Sequence, residues 1–320
     1  MAPPNFNVTN ARQKLATLRT GTADPVSVGA EDLPPHYDPA EVLSHGSHLL
    51  KTASLGDIER FAVLEQVFVA ALDTGNIDIA KTHLATIEKR FPFKSSVRVQ
   101  RLYGLLKEAE GDFDKAIEIY QAALEQDEIN VLTHKRLVAV LSSQGKRTEA
   151  IERLVTYVDA FMQDVEAWAE LASLYIGESM YQQAAFCFEE LLLLRPQNHL
   201  YHIRYADLLY TLGKLDLAVK YYCSGLELCN DNLRALYGLR LASSALLGQR
   251  SKQRSSGKGS KGAGALASDS KNQDVEPVEE GTLVALQKLS GDRLSALYEK
   301  QGKEGATLAL VAKGWLQCQE

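Results

Sequence analysis

The chain has 320 residues, 45% of them apolar and 24% charged, which excludes collagen-like, disulfide-scaffold and wholly disordered classes. Lys and Arg number 35 against 41 Asp and Glu, a formal net charge of −6, so there is no overall attraction for nucleic acid or an anionic bilayer. The four cysteines, Cys187, Cys223, Cys229 and Cys318, form no Cys-x-x-Cys pair. That suits reduced thiols in a cytosolic compartment better than a disulfide or zinc framework.

Residues 1–40 carry Pro3, Pro4, Pro25, Pro34, Pro35 and Pro39 and read as a mostly irregular N-terminal arm. Within it, Ala11–Arg19 is predicted as a short amphipathic helix with Leu15 and Leu18 on one side. Met1-Ala2-Pro3-Pro4-Asn5 has no basic cluster followed by an apolar stretch, so no secretory signal is expected. The sequon Asn7-Val8-Thr9 would then never meet its transferase. The longest aliphatic run, Leu191–Leu194, falls far short of the roughly 18 residues that cross a bilayer. A soluble chain is expected, meeting a membrane only from outside.

From 41 to 248 proline nearly vanishes and apolar residues recur at helical spacing, with glycine-type breaks between them. Residues 249–280 are predicted as a disordered basic Ser/Gly/Lys loop. Gln249–Ala263 holds no large apolar residue and cannot bury enough surface to offset its ordering entropy. Residues 281–320 are predicted as C-terminal helices, Leu283–Lys300 and Glu304–Gln317, with Leu286, Leu289, Leu294 and Leu297 buried.

Internal repetition fixes the fold class. Trp168 precedes Leu171-Ala172 and Tyr175; Ala184, Phe188, Leu191 and Pro196 follow. That is the W-x2-L-G-x2-Y, A-x3-F, P signature of a tetratricopeptide repeat. The alanine recurs in register, since 184 − 150, 150 − 116 and 218 − 184 all equal 34 for Ala116, Ala150, Ala184 and Ala218. Four residues after each come Tyr120, Leu154, Phe188 and Tyr222. The small position of the first helix reads Gly104, Val138, Ala172 and Ala206, and the turn holds Gly111, Gly145, Ser179 and Gly213. A looser copy runs through Ala70, Gly75, Ala80, Leu84 and Pro92. The expected class is all-α, a right-handed superhelix of helix hairpins, with repeats near 63–96, 97–130, 131–164, 165–198 and 199–232 and an extra helix at 233–247 whose partner is missing or displaced. Stacking is required because one hairpin cannot cover its own apolar face. An ordinary helical bundle with coincidental spacing is the competing reading.

No chemistry-bearing motif survives scrutiny. Gly257-Lys-Gly-Ser-Lys-Gly262 matches G-x-G-x-x-G in letters only, because it sits in a low-complexity loop with no strand near it. There is no phosphate loop. His45 with His48, and His199 with His202, are spaced three apart, but neither pair has a further ligand at metal spacing, so surface or packing roles are expected. No nucleophile has a recognisable base. The chain is expected to be no enzyme and to hold no cofactor or metal.

A binding surface remains. In such repeats, set positions of each first helix line the concave groove. They read Arg98, Arg101, Leu102 and Leu105; then Leu132, Lys135, Arg136 and Ala139; then Glu166, Ala169, Glu170 and Ser173; then Leu200, Ile203, Arg204 and Asp207. The candidate partner groove is therefore Arg98, Arg101, Lys135, Arg136, Glu166, Glu170, Arg204 and Asp207, with a solvated charged face as the plain alternative. Carboxylate-gripping adaptors of chaperones need asparagines where Leu102, Leu105 or Arg136 stand.

Beyond the generic repeat positions, Glu65-Gln-Val-Phe-Val-Ala-Ala-Leu-Asp73, Glu166-Ala-Trp-Ala-Glu-Leu-Ala-Ser-Leu-Tyr175, Ala184-Ala-Phe-Cys-Phe-Glu-Glu-Leu191 and Pro196-Gln-Asn-His-Leu-Tyr201 resemble the family of subunit 2 of the endoplasmic reticulum membrane protein complex. The resemblance spans about Ile58 to Ala245; the arm, the basic loop and the last forty residues match poorly. It implies a non-catalytic cytosolic scaffold, peripheral on the cytoplasmic face of the endoplasmic reticulum. Such a subunit holds the cytosolic parts of membrane-embedded subunits, and a second soluble subunit, in a hetero-oligomer that inserts tail-anchored and multi-pass proteins. Two other readings stay open. One is a chaperone-linked tetratricopeptide adaptor for peptide C-termini. The other is an RNA-processing helical-repeat protein, which the acidic balance disfavours.

Overall fold

The computed structural model describes residues 37–256 and 277–300, with 8, 9, 11, 12, 15 and 16 before them and 308, 310–312, 314 and 315 after. The chain divides into two compact units, Met1–Arg153 and Leu154–Glu320. The first holds α1 (Pro39–Thr52), α2 (Asp57–Asp73), α3 (Ile77–Arg90), a 3₁₀ turn (Phe93–Ser95), α4 (Val97–Ala109), α5 (Phe113–Gln126) and α6 (Val131–Ser143). The division falls inside α7 (Arg147–Ala160). The second unit continues with α8 (Val165–Gly177), α9 (Tyr181–Leu194), α10 (His199–Thr211), α11 (Leu215–Leu228), α12 (Leu233–Ser256) and α13 (Glu280–Lys300). Among the described residues there is no strand.

The two kinds of helix start differently. From α4 onward, the first helices of the repeats open on a side chain that accepts from the backbone, whereas α2 opens on Gly56 with no side-chain cap. Ser96 takes the Val99 N–H at 3.4 Å, Asn130 that of Thr133 at 3.1 Å, Asp164 those of Glu166 and Ala167 at 3.1 and 3.2 Å, Asn198 that of Leu200 and Asn232 that of Ala235, both at 3.1 Å. Each satisfies donors that a helix N-terminus otherwise leaves unpaired. These caps also recur every 34 residues (130 − 96, 164 − 130, 198 − 164, 232 − 198), a second periodic signal beside the alanines. The second helices α3, α5, α9 and α11 start with no side-chain cap.

What precedes those second helices is a left-handed residue. Gly75, Gly111, Gly145 and Gly213 have φ of 74°, 81°, 75° and 76°. The next N–H reaches back five residues, from Asn76 to Ala71 O at 2.7 Å, Asp112 to Lys107 O at 2.9 Å and Lys214 to Leu209 O at 2.9 Å. This is the Schellman closure of a helix C-terminus, and it favours glycine because no Cβ is present to clash. Ser179 occupies the same place with φ 59°, and Met180 makes the equivalent bond to Tyr175 O at 2.8 Å. That serine is the one non-glycine residue with positive φ among the described residues.

Between the helices of each hairpin, small residues set the approach. Ala80, Ala116, Ala150, Ala184 and Ala218 are all 0% exposed. A Cβ on Gly104 would run into the Tyr120 ring of the same hairpin, and one on Gly238, on α12, into the Tyr222 ring of the preceding hairpin. In the first unit the hairpins bury Leu64, Phe68, Leu84, Ile87, Val99 and Leu102 as one cluster.

The structure revises several expectations at the two ends. Leu15 is buried against α1 and α2, where Gln66 donates to its carbonyl at 2.9 Å and Val42, Leu49, Val63 and Val67 join it. Part of the arm is thus a packed element, as the helical prediction there implies; Leu18 lies outside the described residues. Helix α12 does not stop at 247 or give way at 249. It continues to Ser256, because Arg250 and Arg254 find partners: Arg250 donates to Asp216 Oδ1 at 2.9 Å and Val278 O at 2.6 Å, and Arg254 pairs with Glu280 at 2.9 Å. The rest of the expected loop, 257–276, lies outside the described residues.

The displaced partner of α12 is α13, which buries Leu283, Ser290 and Leu294 with no exposed area. Leu286 and Leu297 are half-buried, but Leu289 is 41% exposed and does not belong to the core. The face of α13 is set by the 283, 290, 294 spacing, which puts Leu289 on the opposite side. Past α13, Ala312 is buried and the Trp315 ring meets Tyr237 edge to face at 5.0 Å.

Candidate partner-binding grooves

In the first unit, α2 supplies Glu65 and α4 supplies Arg98 and Arg101. Arg101 meets Glu65 at 3.2 Å, and Arg98 pairs with the other oxygen of the same carboxylate. One acid therefore serves two guanidinium groups. Burial draws Arg101 below the ordinary arginine range, Glu65 works the other way, and the like charges of Arg98 and Arg136 add to the fall. Arg136, on α6, pairs with Glu108 on α4, which also accepts from the Tyr120 hydroxyl. Burial opposes the charge of Arg136, but the Glu108 carboxylate outweighs it and holds the group above its usual range. Lys135 lies half-buried beside Arg136.

Beside this cluster opens a pocket of about 480 Å³ walled by the start of α2 (Asp57, Ile58, Phe61, Ala62, Glu65), the end of α3 (Ile87, Arg90, Phe91) and the start of α4 (Ser96, Arg98, Val99, Leu102). Its floor is sealed core, with Leu102 1% and Val99 2% exposed. Its rim is open, with Ile58 90% and Phe91 42% exposed. Phe61 and Phe91 meet edge to face at 5.2 Å, and the Arg90 guanidinium lies 5.8 Å from the Phe91 ring centre.

The second unit's expected groove residues do not line that pocket. Glu166 is exposed and Glu170 half-buried on α8; Arg204 is exposed on α10. Asp207 is committed, accepting from Tyr222 at 2.6 Å and Arg234 at 2.8 Å. Leu102 and Ile203, expected to face the groove, are 1% exposed and belong to the core, because those positions point between the hairpins. The repeat-packing set lies mostly inside: Trp168 and Phe188 are 7% exposed, Ala172 0%, Tyr120 0% and Tyr222 2%. Tyr175 is half-buried, and Pro196 is exposed in the turn before α10. The Trp168 indole donates to Met162 O at 2.9 Å.

Sequence reasoning missed Glu65, Glu108 and the pocket wall. A usable signal existed for the acids. In a helical array a residue on one first helix meets those roughly one repeat later, as 98 − 65 = 33, 136 − 108 = 28 and 234 − 207 = 27 show. Acid and arginine at that separation mark an ion pair rather than two free charges.

Burial pushes the Cys187 thiol up to about 12 and Cys223 to about 11, away from nucleophilic thiolate. His45 meets Glu41 at 3.3 Å, and His202 meets Pro196 O at 2.8 Å. Among the described residues no group of three His, Cys, Asp or Glu could hold a metal, and no helix is long and apolar enough to cross a membrane.

Residues 93–215 match the family described as the EMC2 TPR-like repeat domain, and 201–232 match a tetratricopeptide repeat. The chain is 43% identical over 207 residues to ER membrane protein complex subunit 2-A of Xenopus laevis, covering 63% of this chain and 69% of that protein. The chain belongs to the ER membrane protein complex subunit 2 family. TPR repeat protein oca3 of Schizosaccharomyces pombe is 33% identical over 220 residues, covering 67% of this chain and 77% of that one. The C-terminal part of a TPR repeat-containing protein from Cytophaga hutchinsonii superposes with a TM-score of 0.55 at 15% identity, over 92% of this chain and 97% of that one. That last likeness concerns the fold alone. The subunit 2 repeat domain, 93–215, contains every groove residue expected from sequence, whereas the α2 wall of the pocket lies before it.

Proposed function

We propose that the protein is a non-catalytic scaffold subunit of the ER membrane protein complex, peripheral on its cytoplasmic face. It supports insertion of tail-anchored and multi-pass proteins by holding the cytosolic parts of membrane-embedded subunits and a second soluble subunit. Its work is positioning, through stacked hairpins that present surface to other chains. The observation that carries this reading is the membership in the subunit 2 family together with an open, partly apolar groove where an enzyme would need a reactive constellation. The test is affinity purification of the tagged chain from detergent-solubilised membranes, with identification of what comes with it. Recovery with several membrane-spanning proteins supports the scaffold. A monomer that stays in the cytosolic fraction overturns it. The chaperone-adaptor reading gains no support from the groove, where Arg136 is tied to Glu108 and Leu102 is buried.

A further inference from the structure

The pocket of the first unit combines two properties rarely left unused on a protein surface. Its wall offers large apolar side chains to solvent at Ile58 and Phe91 above a floor of closed core, and uncovered patches of this kind mark interaction sites. The volume, about 480 Å³, lies within the roughly 300–1,000 Å³ range of pockets that take ligands or anchor side chains. The charge around it is unbalanced. Arg98, 69% exposed, shares the single Glu65 carboxylate with Arg101. Arg90 pairs with no carboxylate among the described residues, and its guanidinium lies over the Phe91 ring. Asp57, also in the lining, sits in the first turn of α2, where the helix's own positive end offsets it. The lining holds Arg90 and Arg98 against Asp57 and Glu65, and because Arg101 takes part of Glu65 from outside the lining, the positive groups are the less compensated.

We infer that this pocket docks an acidic, apolar polypeptide segment: a bulky apolar side chain seated against the Phe61–Phe91 pair over Leu102, with flanking carboxylates paired to Arg90 and Arg98. A basic segment would face repulsion from both arginines, and a purely apolar one would cover Arg90 without a carboxylate and leave Arg98 only its share of Glu65. The inference rests on the scaffold reading only in taking a polypeptide as the occupant.

The test is fluorescence anisotropy of the full-length chain with a labelled short peptide carrying Phe and Leu among glutamates, run beside versions with Lys for Glu and with Ser for Phe and Leu. Ile58→Asp, Arg90→Glu and Arg98→Glu alter open-rim or pocket-wall positions, and thermal melts check that each stays folded. The acidic apolar peptide is expected to bind and to weaken as salt rises. Each variant is expected to weaken it about tenfold, equivalent to about 1.4 kcal/mol. Equal binding of the Lys version, or affinities within about twofold of the parent for both arginine reversals, overturns the proposal. So does binding of phosphatidylserine vesicles without the peptide. Failure of the peptide while the tagged chain still recovers membrane-spanning proteins sinks this inference and leaves the scaffold standing; the opposite result does the reverse.

Discussion

Two places along the chain solve the same problem in opposite ways. A stacked hairpin always exposes an apolar flank until something lies on it. At α12 that flank is covered by α13, whose Leu283, Ser290 and Leu294 have no exposed area, and Arg240 donates across to Gln287 O at 3.0 Å. At the start of α2 the flank is left uncovered, with Ile58 and Phe91 in solvent above Leu102. At α12 the chain covers its own flank, whereas among the described residues Ile58 and Phe91 stay in solvent, on the surface proposed above for another polypeptide.

The sharpest way to break that comparison is truncation on each side. Leu294→Ala at the covered end is expected to lower unfolding free energy by about 2–5 kcal/mol, the usual cost of a buried leucine. Ile58→Ala at the open end is expected to change it by less than about 0.5 kcal/mol. Urea unfolding monitored by circular dichroism measures both, and similar losses would show that the open end is not open. Next in size are the glycines under the tyrosine rings. Gly104→Ala and Gly238→Ala each force a ring to move and are expected to cost about 1–3 kcal/mol by overpacking. Thermal melts check them, and neutral substitutions would show that the hairpins separate easily.

Smaller effects sharpen the picture. Ser179→Gly relieves a left-handed serine and is expected to stabilise the second unit by about 1 kcal/mol; a loss of stability would mean the turn is not the strained point. The alkaline limb follows from the phenols. Burial first, then the bond to Glu88 at 2.5 Å, pushes Tyr103 from 10.0 up to about 12. The folded state therefore prefers the protonated phenol. The contribution is fully present below the unfolded value of 10.0 and fades as pH climbs toward the folded one. Tyr103→Phe is expected to flatten the fall in urea midpoint between pH ~9 and ~12, and an unchanged slope would refute the assignment.

The fold was legible because it repeats. Ala116, Ala150, Ala184 and Ala218 mark the hairpin crossings through a single requirement, the absence of bulk, which a one-dimensional pattern records. The caps Ser96, Asn130, Asp164, Asn198 and Asn232 record another. Groove chemistry was less legible, since whether Arg101 or Asp207 is available depends on an acid or arginine a repeat away, Glu65 or Arg234. The pocket escaped because it is a space between three helices rather than a set of residue types. The continuation of α12 to Ser256 escaped for a related reason: its polar sequence carries no helical pattern, and its order comes from Asp216, Val278 and Glu280.

Asp216 has a practical consequence. Its Oδ1 receives both the Arg250 guanidinium at 2.9 Å and the Val278 N–H at 3.0 Å, so chain positions on either side of 257–276 are anchored to one oxygen. Foreign residues spliced between those anchors would meet a fixed entrance and exit. That makes the stretch a natural seat for an affinity handle or a cross-linking probe, well removed in sequence from α2 and α4.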